Sequence, residues 1–402
     1  MEIIYIDQNG RRSVTSIETL MAAAEIFPKR AATLHAATKP EQFALIHKAI
    51  EAGVAPVLFD PKMSALAERV AGFGVTPHDD PSDNDTLGED AYALFFTSGT
   101  TGMPTGALKT RENIETEVDA HRELFTPEGY ERIIVTVPFI HIYGFLAGVM
   151  LPRTLGCELL LKEEYWPQEL LELHEGKKTL VVTSPVYLKS LLKLRRGRPL
   201  PNVDFLSSTG LLLEEEVAAF EMKYETTLLQ LFGSTETGGI ATKRGVTPWW
   251  TPLRDIRVTA DEEGVMTVAS PYVSPEVVDT AWHALPHPFR TTDLVETEGG
   301  RFRLLGRLNE LVKISGKRLA VTELEHLIER RFSGSEALVR IERDSSRLKD
   351  ESLRVQVAGA TAADHAAVAA LFAENFPGIH IAFALEHVEK IEKNAMGKKV
   401  RR

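Results

Sequence analysis

Residues 96–110 read FTSGTTGMPTGALKT and follow the apolar run AYALF at 91–95. An apolar strand that runs into Ser, Thr and Gly suits a strand whose carboxyl end faces a ligand. Glycines let the backbone approach a phosphate, and successive N–H groups with added hydroxyls form an anion-binding concavity. The GK[ST] ending of a Walker loop is absent. Taken alone, the pattern also suits a flexible connector.

The same organisation extends in both directions. Upstream, EIIYID and RRSVT flank Asn9-Gly10 and read as a small hairpin. SIETLMAAAEIF reads as a helix, AATLHAA as a strand, PEQFALIHKAIEAG as a helix, APVLFD as a strand and SALAERVAGFG as a helix. This alternation argues for βαβ units and a largely parallel sheet with helices on both faces. HDDPSDNDTLGED, 78–90, is polar and reads as a surface linker. Downstream strands are expected at ERIIVTVPF, CELLLKE, TLVVTSP, VDFLSST and TLLQLFG, and ligands collect at the carboxyl ends of such strands. From about Asp255 to Arg307 the pattern becomes alternating strands with a Gly299-Gly300 turn, and a smaller α+β unit follows. The expected fold is α/β. A large N-terminal domain of βαβ-type sheets with a small β-rich subdomain covers 1–308, and a small mobile α+β domain covers 309–402. The boundary falls near Leu308-Asn309.

Composition narrows the function. Of 402 residues, 44% are hydrophobic and 26% charged, the balance of a globular chain. The net charge of -11 argues against nucleic acid or a polybasic membrane surface as partner. The single cysteine, Cys157, allows no internal disulfide and suits a cytoplasmic location. MEIIYIDQNGRRS has no signal-peptide pattern, and Phe139–Pro152 is too short to span a bilayer; it reads as a buried strand-to-helix segment.

Three further segments carry chemistry. LLQLFGSTETGG, 228–239, ends an apolar strand in Gly233, Ser234, Thr235 and Glu236, and a carboxylate beside a hydroxyl suits Mg²⁺. It equally describes a helix N-cap with an acid in the first turn. Asp293 and Arg307 could bind sugar hydroxyls or phosphate, with a salt-bridged hairpin as the plain alternative. A basic turn, Lys313 to Arg318, and a terminal Gly397-Lys398 complete the set.

In this order and combination, from about Tyr92 to the end, the chain resembles the adenylate-forming ligases: acyl- and aryl-CoA synthetases, luciferases and nonribosomal adenylation domains. The resemblance implies that Thr97, Ser98, Gly99, Thr100, Thr101 and Gly102 form the loop over the ATP β/γ-phosphates. It puts Phe232 against adenine, with Ser208, Thr209, Gly210, Gly233 and Ser234 lining the nucleotide site. Thr235 would contact the α-phosphate, Glu236 would hold Mg²⁺, and Asp293 and Arg307 would bind ribose. Lys398 matches the lysine that bridges the acyl carboxylate and α-phosphate during adenylation. Asn309 stands at the interdomain hinge, where the family more often has Asp or Lys. Lys313, Gly316 and Arg318 would face the thiol after the small domain rotates. His141, Tyr143, Gly144 and Gly238 are assigned to the acyl pocket, His141 also bordering the thiol tunnel; a satisfied strand-end histidine is its plain alternative.

The implied reaction joins a small carboxylic acid to AMP with release of pyrophosphate, then passes the acyl group to the thiol of CoA or of a carrier protein's phosphopantetheine. Ile142 to Phe145 offer no carboxylate for an α-amino group, so a simple acyl or aryl acid is expected, with Gly144, Gly233 and Gly238 leaving room for a ring. Two departures from the family stand out. Pro104-Thr105-Gly106 replaces the usual Pro-Lys-Gly, with Lys109 a candidate to restore the charge. The portion before the loop is also short, which leaves both monomer and homodimer open. A catalytically silent module of the same fold is the alternative. A dinucleotide-dependent redox enzyme is disfavoured by the lack of GxGxxG after the first strand.

Overall fold

The computed structural model describes residues 1–83, 87–97, 104–210, 212–314, 317–332, 334–342, 352–359, 363–393 and 399–400, without the side chains of 309, 313, 317 and 318. Two large sheets form its body. One has nine strands in the order Thr251–Pro252, Gly238–Arg244, Thr227–Ser234, Val203–Ser207, Thr179–Thr183, Arg132–Val135, Glu158–Lys162, Glu2–Ile6 and Arg12–Ser16. Its interior pairs are parallel and its edges antiparallel. The other has seven strands in the order Trp282–Ala284, Glu276–Val278, Gly106–Thr110, Ala91–Phe96, Ala55–Leu58, Ala31–Thr33 and Thr76–Pro77.

The expected single run of βαβ units is thus divided. The Asn9-Gly10 hairpin forms as expected, but on its other side Glu2–Ile6 pairs with Glu158–Lys162 in the nine-stranded sheet and not with the next strand in sequence, Ala31–Thr33. The reason lies in burial. Helices Ile17–Ala23, Lys39–Glu51 and Arg111–Phe125 and the helical run 142–155 lie between the sheets. Met21, Phe43, Ile114 and Phe145 share one core with Ile3, Ile133 and Leu159 of one sheet and Ala32, Leu58 and Phe95 of the other. Helices Pro185–Leu192 and Glu214–Tyr224 cover the outer face of the nine-stranded sheet, and Ser64–Gly72 covers that of the seven-stranded sheet. The helix starts are locally encoded: Thr38 with Glu41, and Thr110 with Asn113, close reciprocal capping pairs.

The polar stretch 78–90 connects two strands of the same sheet, and its described residues are exposed or half-buried apart from Leu87. Leu87 inserts into the outer core of that sheet, and its carbonyl accepts from Arg30. The segment 139–152 holds no strand; it turns directly into the helical run, whose centre, Leu146–Met150, is wound as a π-helix. A four-stranded sheet, Arg257–Ala260, Val265–Ala269, Phe289–Glu298 and Arg301–Arg307, forms the expected β-rich part. A short 3₁₀ turn, Leu308–Glu310, leads into the C-terminal unit. There, Val321–Arg331 and His365–Asn375 pack on the strands Glu336–Glu342, Ser352–Ala358 and Phe383–His387 around Leu324, Ile328, Val339, Val355 and Phe372. Arg330 pairs with Glu215 at 2.9 Å across to the larger part. No helix among the described residues is long and apolar enough to cross a membrane.

Candidate active site

A cleft of about 1760 Å³ opens where strands Val203–Ser207 and Thr227–Ser234 end, facing the β-rich sheet and the C-terminal unit. Thr209, Gly210, Phe232, Gly233, Asp293 and Arg307, six of the expected nucleotide residues, line it together. Ser208 lies buried just before them.

Phe232 is half-buried, with its ring 5.5 Å from Trp250 and 5.9 Å from Phe302. That aromatic support leaves a rigid platform on which a flat ring can stack. Asp293 and Arg307 face each other across the Phe289–Glu298/Arg301–Arg307 hairpin, and Arg307 Nε donates to Asp293 Oδ1 at 2.9 Å. Burial works against the charge of Arg307, yet Asp293, Glu310 and Glu236 outweigh it and raise its pKa. Glu236 is therefore close enough for Arg307 to feel its charge.

Beside the platform lies a polar group that the sequence reading missed. Gln230 is 2% exposed, and neither end of its amide has a partner among the described residues; Ser207 Oγ and Thr209 Oγ1 are likewise buried and unpaired. Gln230 and Ser207 are paired in register on adjacent strands. Thr209 holds φ +78°, a strained value for a β-branched residue. Buried polar groups without partners await water or a ligand. The available signal was a lone amide in the apolar run LLQLF.

The Ser234–Gly239 turn is closed by hydroxyls: Thr237 Oγ1 accepts from Ser234 N at 3.0 Å, and Ser234 Oγ accepts from Thr237 N at 3.2 Å. Glu236 is half-buried, and its carboxylate has no hydrogen bond or ion pair among the described residues, which suits a cation ligand. Thr235 beside it is half-buried as well.

The glycines serve another purpose than the one expected. A Cβ on Gly233 would lie 2.1 Å from Gly238 O, one on Gly144 2.0 Å from Pro138 O, and one on Gly238 2.3 Å from Glu117 Oε2. The space is filled by protein atoms, so these positions do not leave room for a ring. Tyr143 is fully buried, and its hydroxyl donates to Thr183 O and Leu206 O, which lifts no free hydroxyl into a pocket. His141 is half-buried and stands at the position just before the helical run, without a side-chain capping bond.

Thr97 and Thr105 pin the two ends of the glycine-rich loop: Thr97 N donates to Thr105 O at 2.9 Å, and Thr105 N to Thr97 Oγ1 at 3.1 Å. Arg69 donates to Pro104 O, with its guanidinium over the Phe96 ring. Lys109 does not restore the charge missing at Thr105. It is fully buried, and its Nζ donates to Glu236 O at 3.0 Å and Tyr272 O at 2.7 Å. Ser98, Gly99, Thr100, Thr101, Gly102, Gly316 and Lys398 lie outside the described residues, as do the side chains of Asn309, Lys313 and Arg318. Next to Lys398, Lys399 Nζ is held by Glu325 at 3.0 Å, Glu329 at 2.8 Å and Ala337 O at 2.6 Å.

These features define an α/β protein with a ligand cleft at the carboxyl ends of its strands. Residues 15–286 match the family described as AMP-binding enzyme, and the chain belongs to that family. It is 26% identical over 325 residues to a probable CoA ligase of Humulus lupulus, covering 71% of this chain and 59% of that protein. It is 25% identical over 348 residues to a long-chain-fatty-acid–CoA ligase of Bacillus subtilis, covering 78% and 61%. The chain thus spans about three-fifths of the length of these relatives. Among solved structures, ATP-bound MatB from Rhodopseudomonas palustris superposes with a TM-score of 0.76 at 18% identity, over 98% of this chain and 93% of that one. The Bacillus subtilis O-succinylbenzoate Coenzyme A synthetase in complex with ATP and magnesium gives 0.78 at 16%, over 99% and 95%. At that identity the likeness establishes the α/β fold, a large N-terminal and a small C-terminal part.

Proposed function

We propose that the chain activates a carboxylic acid with ATP, forming an acyl-adenylate and pyrophosphate, and then transfers the acyl group to a pantetheine thiol. The observation that carries this reading is the convergence, on one cleft, of an aromatic platform and an Asp–Arg pair. Phe232 takes the adenine face. Asp293, held by Arg307, accepts the ribose hydroxyls.

The chemistry needs no protein nucleophile. The substrate carboxylate attacks the α-phosphorus of ATP, one P–O bond forms and the bond to pyrophosphate breaks. Negative charge gathers on the phosphoryl oxygens, so the chain must supply cations and N–H groups in a dry site. The glycine-rich loop pinned by Thr97 and Thr105 provides N–H groups, Thr235 a hydroxyl, and Lys398 a cation between carboxylate and phosphate. Glu236 would hold Mg²⁺, which supplies charge neutralisation at the phosphates. The thiol then attacks the acyl carbon and AMP leaves.

A domain division at Leu308-Asn309 lets the unit from 309 to 402 rotate about Asn309. That exchanges Lys398 for the Lys313, Gly316 and Arg318 turn as the thiol arrives. His141 borders the acid, and the absence of a carboxylate in 142–145 favours an acyl or aryl acid over an amino acid. CoA and a carrier protein both suit the acceptor role, in the cytoplasm, for a monomer or a homodimer.

Exchange of labelled pyrophosphate into ATP, measured over a panel of benzoates and fatty acids, tests the reading. Exchange that depends on one acid class is expected. No exchange with any acid would favour the silent module. Repeating the active acid with CoA and with a carrier protein identifies the thiol.

A further inference from the structure

Beneath the Glu236 turn lie two charged side chains that no step of the reaction uses. Lys109 belongs to the strand Gly106–Thr110, where alternation sends Leu108 to the outer core and Lys109 inward. Its ammonium is fully buried and donates to two main-chain carbonyls, Glu236 O and Tyr272 O. Glu236 O accepts a second bond, from Ser274 N at 2.8 Å.

Glu117 is also fully buried, one helical turn beyond Asn113 on Arg111–Phe125. Its Oε1 accepts from Gly239 N at 2.6 Å, and its Oε2 has no partner among the described residues. It stands so close beneath Gly238, which holds φ +68°, that any side chain there would strike it. Asn113 extends the same helix face and donates to Pro271 O and Val273 O, fixing the neighbouring segment that carries Tyr272.

The two charges sense each other. Burial lowers the pKa of Lys109 and raises that of Glu117, and each opposes the other's shift. Burying an ammonium and a carboxylate is costly unless both are bonded and paired. Here one bond from each goes to the backbone of residues 236 and 239, at the two ends of one four-residue piece of turn, and Lys109 ties that piece to Tyr272 O as well. The only solvent-facing acid on that piece is Glu236.

We propose that Lys109 and Glu117 are positioning residues for metal binding at Glu236, gripping the backbone at Glu236 itself and three residues beyond it so that its carboxylate is held ready for the cation that accompanies ATP. This rests on the function proposed above. Neither side chain touches a substrate, and their effect passes entirely through Glu236.

The test is binding rather than turnover. Titration calorimetry on the full chain, without acid substrate, compares ATP in excess Mg²⁺ with ATP in EDTA. It is run for wild type, Lys109→Met, Glu117→Gln, Glu236→Gln and the double variant Lys109→Met/Glu236→Gln. Lys109→Met should weaken binding of MgATP about tenfold, the scale of one lost charge-assisted contact, and leave metal-free ATP within about twofold. Glu236→Gln should show the same selectivity, and adding Lys109→Met to it should change nothing more. Thermal melting identifies folded variants. Should Lys109→Met not fold, Glu117→Gln, which keeps an acceptor for Gly239 N–H, carries the same comparison.

A loss equal with and without metal, or a loss that adds in full to that of Glu236→Gln, overturns the positioning role while leaving the function intact. A wild-type chain that binds neither form of ATP overturns the function itself and the proposal with it.

Discussion

Replacing Asp293 by alanine should separate binding from stability. Its carboxylate is 16% exposed, and Oδ1 is taken by Arg307 Nε, whose own side chain is 47% exposed. An ion pair with one partner so open to solvent contributes at most about 1 kcal/mol, so the variant should melt within a few degrees of wild type. The second carboxylate oxygen is free to accept from a sugar. A hydrogen bond to a charged acceptor contributes about 1.5–3 kcal/mol, which corresponds to roughly 10- to 150-fold in kcat/KM for ATP. The assay is acid-dependent pyrophosphate exchange with ATP and with 2′,3′-dideoxy-ATP, which lacks both hydroxyls. Wild type should prefer ATP by about that factor, and Asp293→Ala should treat the two nucleotides nearly alike. A variant that keeps the wild-type preference, or that loses equally on both nucleotides, refutes the ribose assignment.

Other outcomes follow from the same geometry. Lys398→Ala should abolish adenylation yet largely spare thioester formation from a pre-made acyl-adenylate; equal loss in both half-reactions would contradict its role. Gly233→Ala forces a Cβ to 2.1 Å from Gly238 O and 2.9 Å from Gly239 Cα. Overpacking of that kind costs about 1–3 kcal/mol, so the variant should melt lower and fail to exchange, and near-normal exchange would show that the turn tolerates displacement. His121 is buried, with neither ring nitrogen partnered among the described residues, and burial pushes its pKa down to about 4. The unfolded chain takes up the proton near pH 6.5, so this contribution is complete above that pH. It is lost as pH falls toward 4, by up to about 3 kcal/mol. Urea midpoints of wild type and His121→Phe should therefore diverge between pH 6.5 and 4, in favour of the variant; a constant gap would contradict the shift.

Much of the fold was legible because the strands are apolar runs that stop at Ser, Thr and Gly, as in VDFLSST and TLLQLFG, and the helices carry their own caps. What was hidden depends on partners far away in sequence. Nothing in EIIYID says that it pairs with ELLLK some 150 residues on, because a short apolar strand offers the same edges to any neighbour. Leu87 sat in a polar run of acids, and only the packed sheet reveals the hole it fills. The site divides in the same way. Asp293 and Arg307 stand out by residue type and position, and Phe232 through the resemblance. Lys109 reads as a replacement for the charge missing at Thr105 until the strand's alternation and the carbonyls above it are seen together, and the glycines read as vacancy until the atoms occupying that space are known.

A crystal structure of the chain grown with a non-hydrolysable ATP analogue would examine the whole arrangement at once. The purine should lie on Phe232, with both ribose hydroxyls within hydrogen-bond distance of Asp293 and the phosphates between the Thr97–Thr105 loop and Glu236. A nucleotide bound elsewhere, or a cleft left empty at saturating analogue, would contradict the account.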